Sequence, residues 1–404
     1  MYDAATTAIH RRQGWVLVAG LFAVLTVSSG FGFYNLSLYM NVLAAQRAFS
    51  VADVSGAIGV FFLAGGLSGL VVGRWLQHGD ARLVMMAGAV LGGASLALMG
   101  LAETRVQLLL LYASFGIGNT AVSLIPATTL VTRWFEPRRR AMALSIASTG
   151  LSLGGVLLTP LSVALLQSVP FAQAMMMLGA AYAAGIVVVA AGIRSFPAGY
   201  ARPRVGEALL SGVELAAARR TRFFIVLTAS YVVLMGAQVG SIAHLYNRGV
   251  EVTGPYEASI AVALLASMSI VSRLLGGWLL ARLPMLGFTL ANIAGQALGL
   301  ALLAFTTTEV SLWIAAAVFG STVGNLLMLQ PLLLGYAFGA RDYPRIFALS
   351  QGITTLGIAA APVLMGIMQA LGGYRLAFGV VAMASCGALL LLATAGRIPD
   401  GERT

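Results

Sequence analysis

The chain contains no lysine, a single cysteine and little charge of either sign. Only 9% of its 404 residues are charged, and all 24 basic residues are Arg against 13 Asp and Glu. A soluble domain carries about 25% charged residues. With 59% hydrophobic residues and a mean hydropathy of +0.92, this chain holds more apolar surface than a water-soluble core can hide. It is therefore expected to be an integral membrane protein. A lone cysteine, Cys386, excludes a disulfide framework and a cysteine metal site. Without lysine there is no lysine-based chemistry and no Gly-x-x-x-x-Gly-Lys phosphate loop for ATP; the absence itself reads as genome composition bias. Alternating segments of about 10 residues are also lacking, which disfavours a membrane barrel. No catalytic constellation stands out, and neither an enzyme nor a cofactor or metal is expected.

What is present is a series of apolar windows of about 20 residues, the length that spans a bilayer as helix. Twelve are placed at 15–40, 54–74, 82–101, 106–132, 141–167, 171–193, 223–247, 257–281, 285–305, 310–335, 346–370 and 374–396. Arg11 and Arg12 precede a run too long for a signal-peptide core of about 7–15 residues, so the first window reads as a span. The arginines outside the spans fall into two sets. Nineteen lie in one alternate set of connections and tails, and four (Arg47, Arg105, Arg248, Arg375) lie in the other. The positive-inside rule then places both termini in the cytoplasm. The net charge of +11 is an orientation signal, and nucleic acid is not an expected partner. The longest hydrophilic connection, 194–222, carries Pro197 and Pro203. It reads as a cytoplasmic linker between a bundle at 1–193 and a bundle at 223–404, with Glu207–Arg220 a candidate surface helix.

The two bundles resemble a repeat. Arg140 and Ser145 correspond to Arg345 and Ser350 at an offset of 205, Leu38-Tyr39 to Leu245-Tyr246 at 207, and Ser68–Gly73 to Ser272–Gly277 at 204. Such matches at nearly one spacing, in one order, fit parallel six-span halves.

Twelve spans, a basic central loop and this repeat resemble the major facilitator superfamily over nearly the whole chain. The resemblance implies an all-α membrane protein of twelve helices in two six-helix halves, working by alternating access. After the second span, Gly73 and Arg82 match the superfamily's Gly-x-x-x-Asp-Arg-x-Gly-x-Arg loop, while Gln77, His78 and Asp80 replace its Asp, Arg and Gly. A narrower resemblance is to the monocarboxylate transporters and oxalate/formate antiporters. It is carried by Gly14-Trp15, Gly30-Phe-Gly-Phe-Tyr34, Arg133-Trp-Phe135 with Arg139 and Arg140, and Arg273 ahead of Gly276-Gly-Trp278. That family places a substrate-binding arginine where Arg273 stands. Ser269 replaces the Asp of animal members, and Gln351 stands near the second cation of the oxalate antiporter, so two-cation dicarboxylate binding is not implied.

Arg273 is the main site candidate. It is the one full charge inside an apolar span, and such residues usually mark a substrate path. The acidic residues fall in loops, tails or span ends, and the repeat counterpart of Arg273 is Gly69, so the scaffold does not require a cation there. A guanidinium offers a fork of donors that suits a carboxylate. His244 is the side chain in the spans suited to proton exchange near neutrality, or else a packing residue. Tyr34 and Asn35 in span one, Gln238 and Ser241 in span seven, and Asn325 and Gln330 in span ten are candidate cavity residues or helix contacts. Gly150-Leu-Ser-Leu-Gly-Gly155 has the frame of a drug-antiporter motif with Leu151 for its Pro, and reads first as helix packing. The expectation is an inner-membrane symporter of a small organic anion, a monocarboxylate by preference, with the proton as candidate coupling ion. A drug exporter and a transport-inactive sensor are the rival readings.

Overall fold

In the computed structural model, residues 4–36, 38–39, 42–43, 49, 51–196, 212–396 and 398–399 are described. They are almost wholly helical. In chain order the helices are α1 (Ala4–Ser29), α2 (Val51–His78), α3 (Ala81–Met99), α4 (Arg105–Thr120), α5 (Leu124–Trp134), α6 (Pro137–Ser168) and α7 (Phe171–Gly192). They continue with α8 (Leu215–Ala218), α9 (Arg222–Val252), α10 (Pro255–Leu279), α11 (Met285–Phe305), α12 (Glu309–Phe338) and α13 (Tyr343–Ala393). Eleven segments among the described residues are apolar and long enough to cross a membrane.

Two of these segments carry breaks that reconcile the count with twelve spans. The segment Arg105–Trp134 is one span made of α4 and α5, interrupted at 121–123. The 51-residue α13 is two spans, because Gly372 and Gly373 leave helical geometry, Gly373 at φ 71°. A side chain is strained at that φ, so glycine sets the turn between the last two spans. Part of the 194–222 connection, residues 197–211, lies outside the described residues, as do Arg47, Arg397 and Arg403.

Helix ends follow ordinary capping chemistry. Thr104 and Gln107 form a capping box at α4, as Thr308 and Ser311 do at α12. Proline occupies the first turn of α6, α10 and α13, where its missing N–H is no loss. Among the described residues, arginines cap helix C-termini. Arg133 donates to the Leu76 and Gln77 carbonyls ending α2 and lies over the Phe196 ring. Arg248, counted above with the loop charges, turns inward to 8% exposure. It donates to the Leu303, Ala304 and Thr306 carbonyls at the end of α11 and pairs with Glu251. A guanidinium has five donors for such orphan carbonyls and favours the negative end of the helix dipole.

The chain divides into two compact units. One comprises Met1–Leu210 with Tyr343–Gly352, the other Ser211–Asp342 with Ile353–Thr404. In the first, α1 packs on α6, α2 on α4 and α3 on α7. Glycine permits these approaches: a Cβ on Gly150 or Gly154 would strike the Phe22 or Thr26 carbonyl of α1. The drug-antiporter-like glycine frame is thus a helix-packing surface. In the second unit α10 and α11 both pack on α12. A Cβ on Gly320 would stand 2.5 Å from the Leu265 carbonyl, and one on Gly116 in the first unit would strike the Phe61 carbonyl. Both pairs are related by an offset of 204, so the repeat extends to the packing. The described end of the central connection is strapped to the α12–α13 turn. Gly212 bridges Gly339, the Val213 amide donates to the Phe338 carbonyl, and the Leu215 amide donates to Asp342.

Candidate functional site

Arg273 lies on α10 among the helices of the second unit. Its neighbourhood follows from the local sequence: small residues line the α10–α12 seam, and a long side chain needs that space. The arginine is 2% exposed, and its Nε donates to the Gly324 carbonyl on α12 at 3.2 Å. Gly324 has no side chain to oppose it; a Cβ there would strike the Ser269 carbonyl and stand 2.9 Å from Arg273 Cβ. Next along α12, Asn325 lies across Gly276 and donates to Asn292 Oδ1 on α11 at 3.0 Å. Arg273 and Asn325 are therefore brought onto one seam, together with Gly276, Asn292 and Gly324.

The other candidates divide by position. Tyr34 ends a π-helical turn, Gly30–Tyr34, that continues α1. Such turns are rare and often mark functional positions. The tyrosine is 40% exposed, and a Cβ on Gly155 would stand 2.7 Å from its ring, so the glycine seats it. Asn35 is fully buried and donates to Ser162 Oγ on α6 at 2.7 Å, a tie between helices.

Gln238 and Ser241 are buried on α9, with the Ser241 hydroxyl 3.8 Å from Met365 Sδ. Gln330 on α12 donates to Thr354 Oγ1 on α13 at 3.1 Å. His244 has both ring nitrogens engaged. Nε2 lies 3.1 Å from the Pro362 carbonyl and Nδ1 3.3 Å from the Tyr374 hydroxyl. The carbonyl can only accept, so the neutral ring carries its hydrogen on Nε2 and accepts from Tyr374 at Nδ1. Among the described residues there is no group of three or more His, Cys, Asp or Glu side chains that could hold a metal ion.

The loop after α2 keeps an ion pair in altered form. Asp80, which replaces a glycine of the superfamily motif, caps α3 through the Arg82 amide, pairs with the Arg82 guanidinium at 3.0 Å and accepts from the Ser195 hydroxyl. Burial alone would raise its carboxyl. The hydrogen bonds from Arg82 and Ser195, with the Arg82 charge, outweigh that and pull it down from 3.8 to about 2.

The sequence model of the Major Facilitator Superfamily matches residues 22–340. The chain belongs to the major facilitator superfamily. It is accordingly a multi-pass membrane transporter and not an enzyme. The MFS-type transporter pynF of Aspergillus niger is 26% identical over 80% of this chain and 74% of its own length. Monocarboxylate transporter 11 of Mus musculus is 28% identical over 89% of this chain and 78% of its own. The crystal structure of the E. coli fucose:proton symporter superposes at a TM-score of 0.74 and 17% identity, covering 94% of this chain and 98% of that one. At that identity the likeness is one of fold.

In this major facilitator protein, sequence reasoning missed Gly324 and Asn292. Neither carries a signal of its own in the sequence. At the offset of 204 that relates the packing of the two halves, Gly324 corresponds to Thr120 and Asn325 to Ala121, so the first half holds no matching pair. Asn119 in the first half is a half-buried node, its Oδ1 accepting from Ser28 Oγ at 3.0 Å and from Tyr182 at 3.1 Å.

Proposed function

We propose that this transporter carries a small organic anion, preferably a monocarboxylate, by alternating access, with Arg273 binding the carboxylate. The observation that carries the reading is a buried arginine on a seam whose counterpart in the first half holds Gly69. A scaffold repeated without the cation does not need it for folding, so its presence in one half points to the cargo. The similarity to monocarboxylate transporter 11 over most of both chains supports the same substrate class. The relatives compared are fungal and mammalian and lend no support to a bacterial inner membrane, so the reading keeps to a membrane carrier with both termini cytoplasmic.

The test is uptake of radiolabelled lactate, pyruvate and acetate by proteoliposomes bearing Arg273→Lys or Arg273→Gln. Lysine keeps the charge and loses the bidentate fork. Losing a charge-assisted contact costs about 1.5–3 kcal/mol, or one to two decades in affinity. Both variants are expected to insert normally and to lose uptake. Near-native uptake by a well-inserted Arg273→Lys protein overturns the reading. Substrate counterflow in the same vesicles separates a carrier from a transport-inactive sensor.

A further inference from the structure

The α2–α4 and α10–α12 seams are the same seam built twice, and they solve one packing problem in opposite ways. In the first unit the glycines are on α2. A Cβ on Gly65 would stand 2.8 Å from Thr120 Oγ1, and one on Gly69 would stand 3.8 Å from Thr120 Cγ2 and 3.3 Å from Ile125 Cδ1. Shifted by 204 residues, Gly65 becomes Ser269, Gly69 becomes Arg273 and Thr120 becomes Gly324. The large residue has moved to α10 and the glycine to α12. The room that Gly324 leaves is taken by the Ser269 carbonyl and by the arginine stem: a Cβ on Gly324 would strike that carbonyl and stand 2.9 Å from Arg273 Cβ and 3.0 Å from Nε, and the Gly324 carbonyl holds that Nε at 3.2 Å.

We infer that Gly324 is a positioning residue for substrate binding: it sets where the Arg273 guanidinium stands, and so sets affinity for the transported carboxylate. The inference rests on the proposed role of Arg273. Its physical content is twofold. The missing side chain lets the arginine lie in the seam, and the backbone carbonyl fixes the rotation of the guanidinium plane through its Nε–H. A carboxylate fork tolerates little misplacement, because both N–H···O bonds require near-linear geometry. Glycine at this position thus acts on specificity through a neighbour.

Gly324→Ala tests this against Gly320→Ala, one turn earlier on α12. The Gly320 Cβ would meet the α10 backbone just as closely, at 2.5 Å from the Leu265 carbonyl and 2.7 Å from its Cα, and its three nearest atoms all belong to Leu265. Both variants are compared for lactate KM and maximal rate in proteoliposomes, normalised to inserted protein. A positioning role predicts a KM about ten-fold higher for Gly324→Ala with the maximal rate retained, and a native KM for Gly320→Ala. Equal KM values for the two variants overturn the inference, as does failure of Gly324→Ala to insert when Gly320→Ala inserts; failure of both overturns it too, since Gly324 then does nothing that Gly320 does not. Arg273→Gln, run in parallel, separates the two levels. Native lactate uptake by Arg273→Gln removes the anion reading itself. Impaired uptake there, with a native KM in Gly324→Ala, removes only the positioning role.

Discussion

At the scale of single residues, a polar side chain within a span has to be asked what it already holds. His244 answers clearly. One nitrogen faces the Pro362 carbonyl and the other the Tyr374 hydroxyl, so the ring braces α9 against both spans of α13. Removing it leaves two part-buried groups without this partner, at about 1 kcal/mol for each lost hydrogen bond. We expect His244→Gln to lower the melting temperature in detergent while leaving the pH profile of uptake unchanged; a flattened profile would instead make His244 the proton-exchanging group. Arg273 was legible in the sequence because one charge stands out in an apolar run. Gly324 was not, because one glycine among 48 carries no signal until the residue opposite it is known. Asn35, Asn325 and Gln330 were legible as polar positions, but only coordinates show that each is tied to a neighbouring helix.

At the scale of elements, span positions were readable to within a few residues, since hydrophobic length fixes them, while interruptions were not. The break at 121–123, the π-helical turn Gly30–Tyr34 and the inward turn of Arg248 depend on which partner each group finds in three dimensions. Asp80 shows how much one connection can hold. It caps α3, binds Arg82 and accepts from Ser195, and its folded carboxyl is depressed to about 2 from 3.8. A depressed carboxylate stabilises the fold fully above its unfolded pKa. That contribution is therefore complete above about pH 4 and is lost as pH falls through about 2. Asp80→Asn is expected to lower thermal stability at pH 7, with the gap from the native protein closing as the pH is taken from about 4 towards 2. A gap unchanged over that window would mean the charge on Asp80 contributes nothing. Arg248→Gln is expected to be the more damaging change, because three carbonyls ending α11 lose their donor and a buried site loses its charge-assisted bonds. Thermal melts of the purified variants measure both.

At the scale of the whole molecule, the fold was legible because the bilayer imposes it: backbone groups in lipid must pair within the segment, so long apolar runs become helices. The repeat was legible in scattered sequence matches, and the packing of Gly116 on Phe61 and Gly320 on Leu265 gives it a physical basis. Orientation follows from charge alone. Nineteen arginines fall on one side of the twelve-span path and four on the other. Arg248, one of the four, spends its charge on the end of α11 and on Glu251, and so weighs less as a free loop charge. Moving an arginine-rich loop across the membrane against this bias is unfavourable, since cationic loops are retained on the cytoplasmic side during insertion. Reporter fusions at residue 404 and within 194–222 are expected to report the cytoplasm, and fusions after Arg105 or Arg375 the outside. A terminus reporting the outside would reverse the path of every span. The Arg82–Asp80–Ser195 cluster and the strap at Gly212 would then lie on the outer face, together with the nineteen arginines that the positive-inside rule keeps in the cytoplasm.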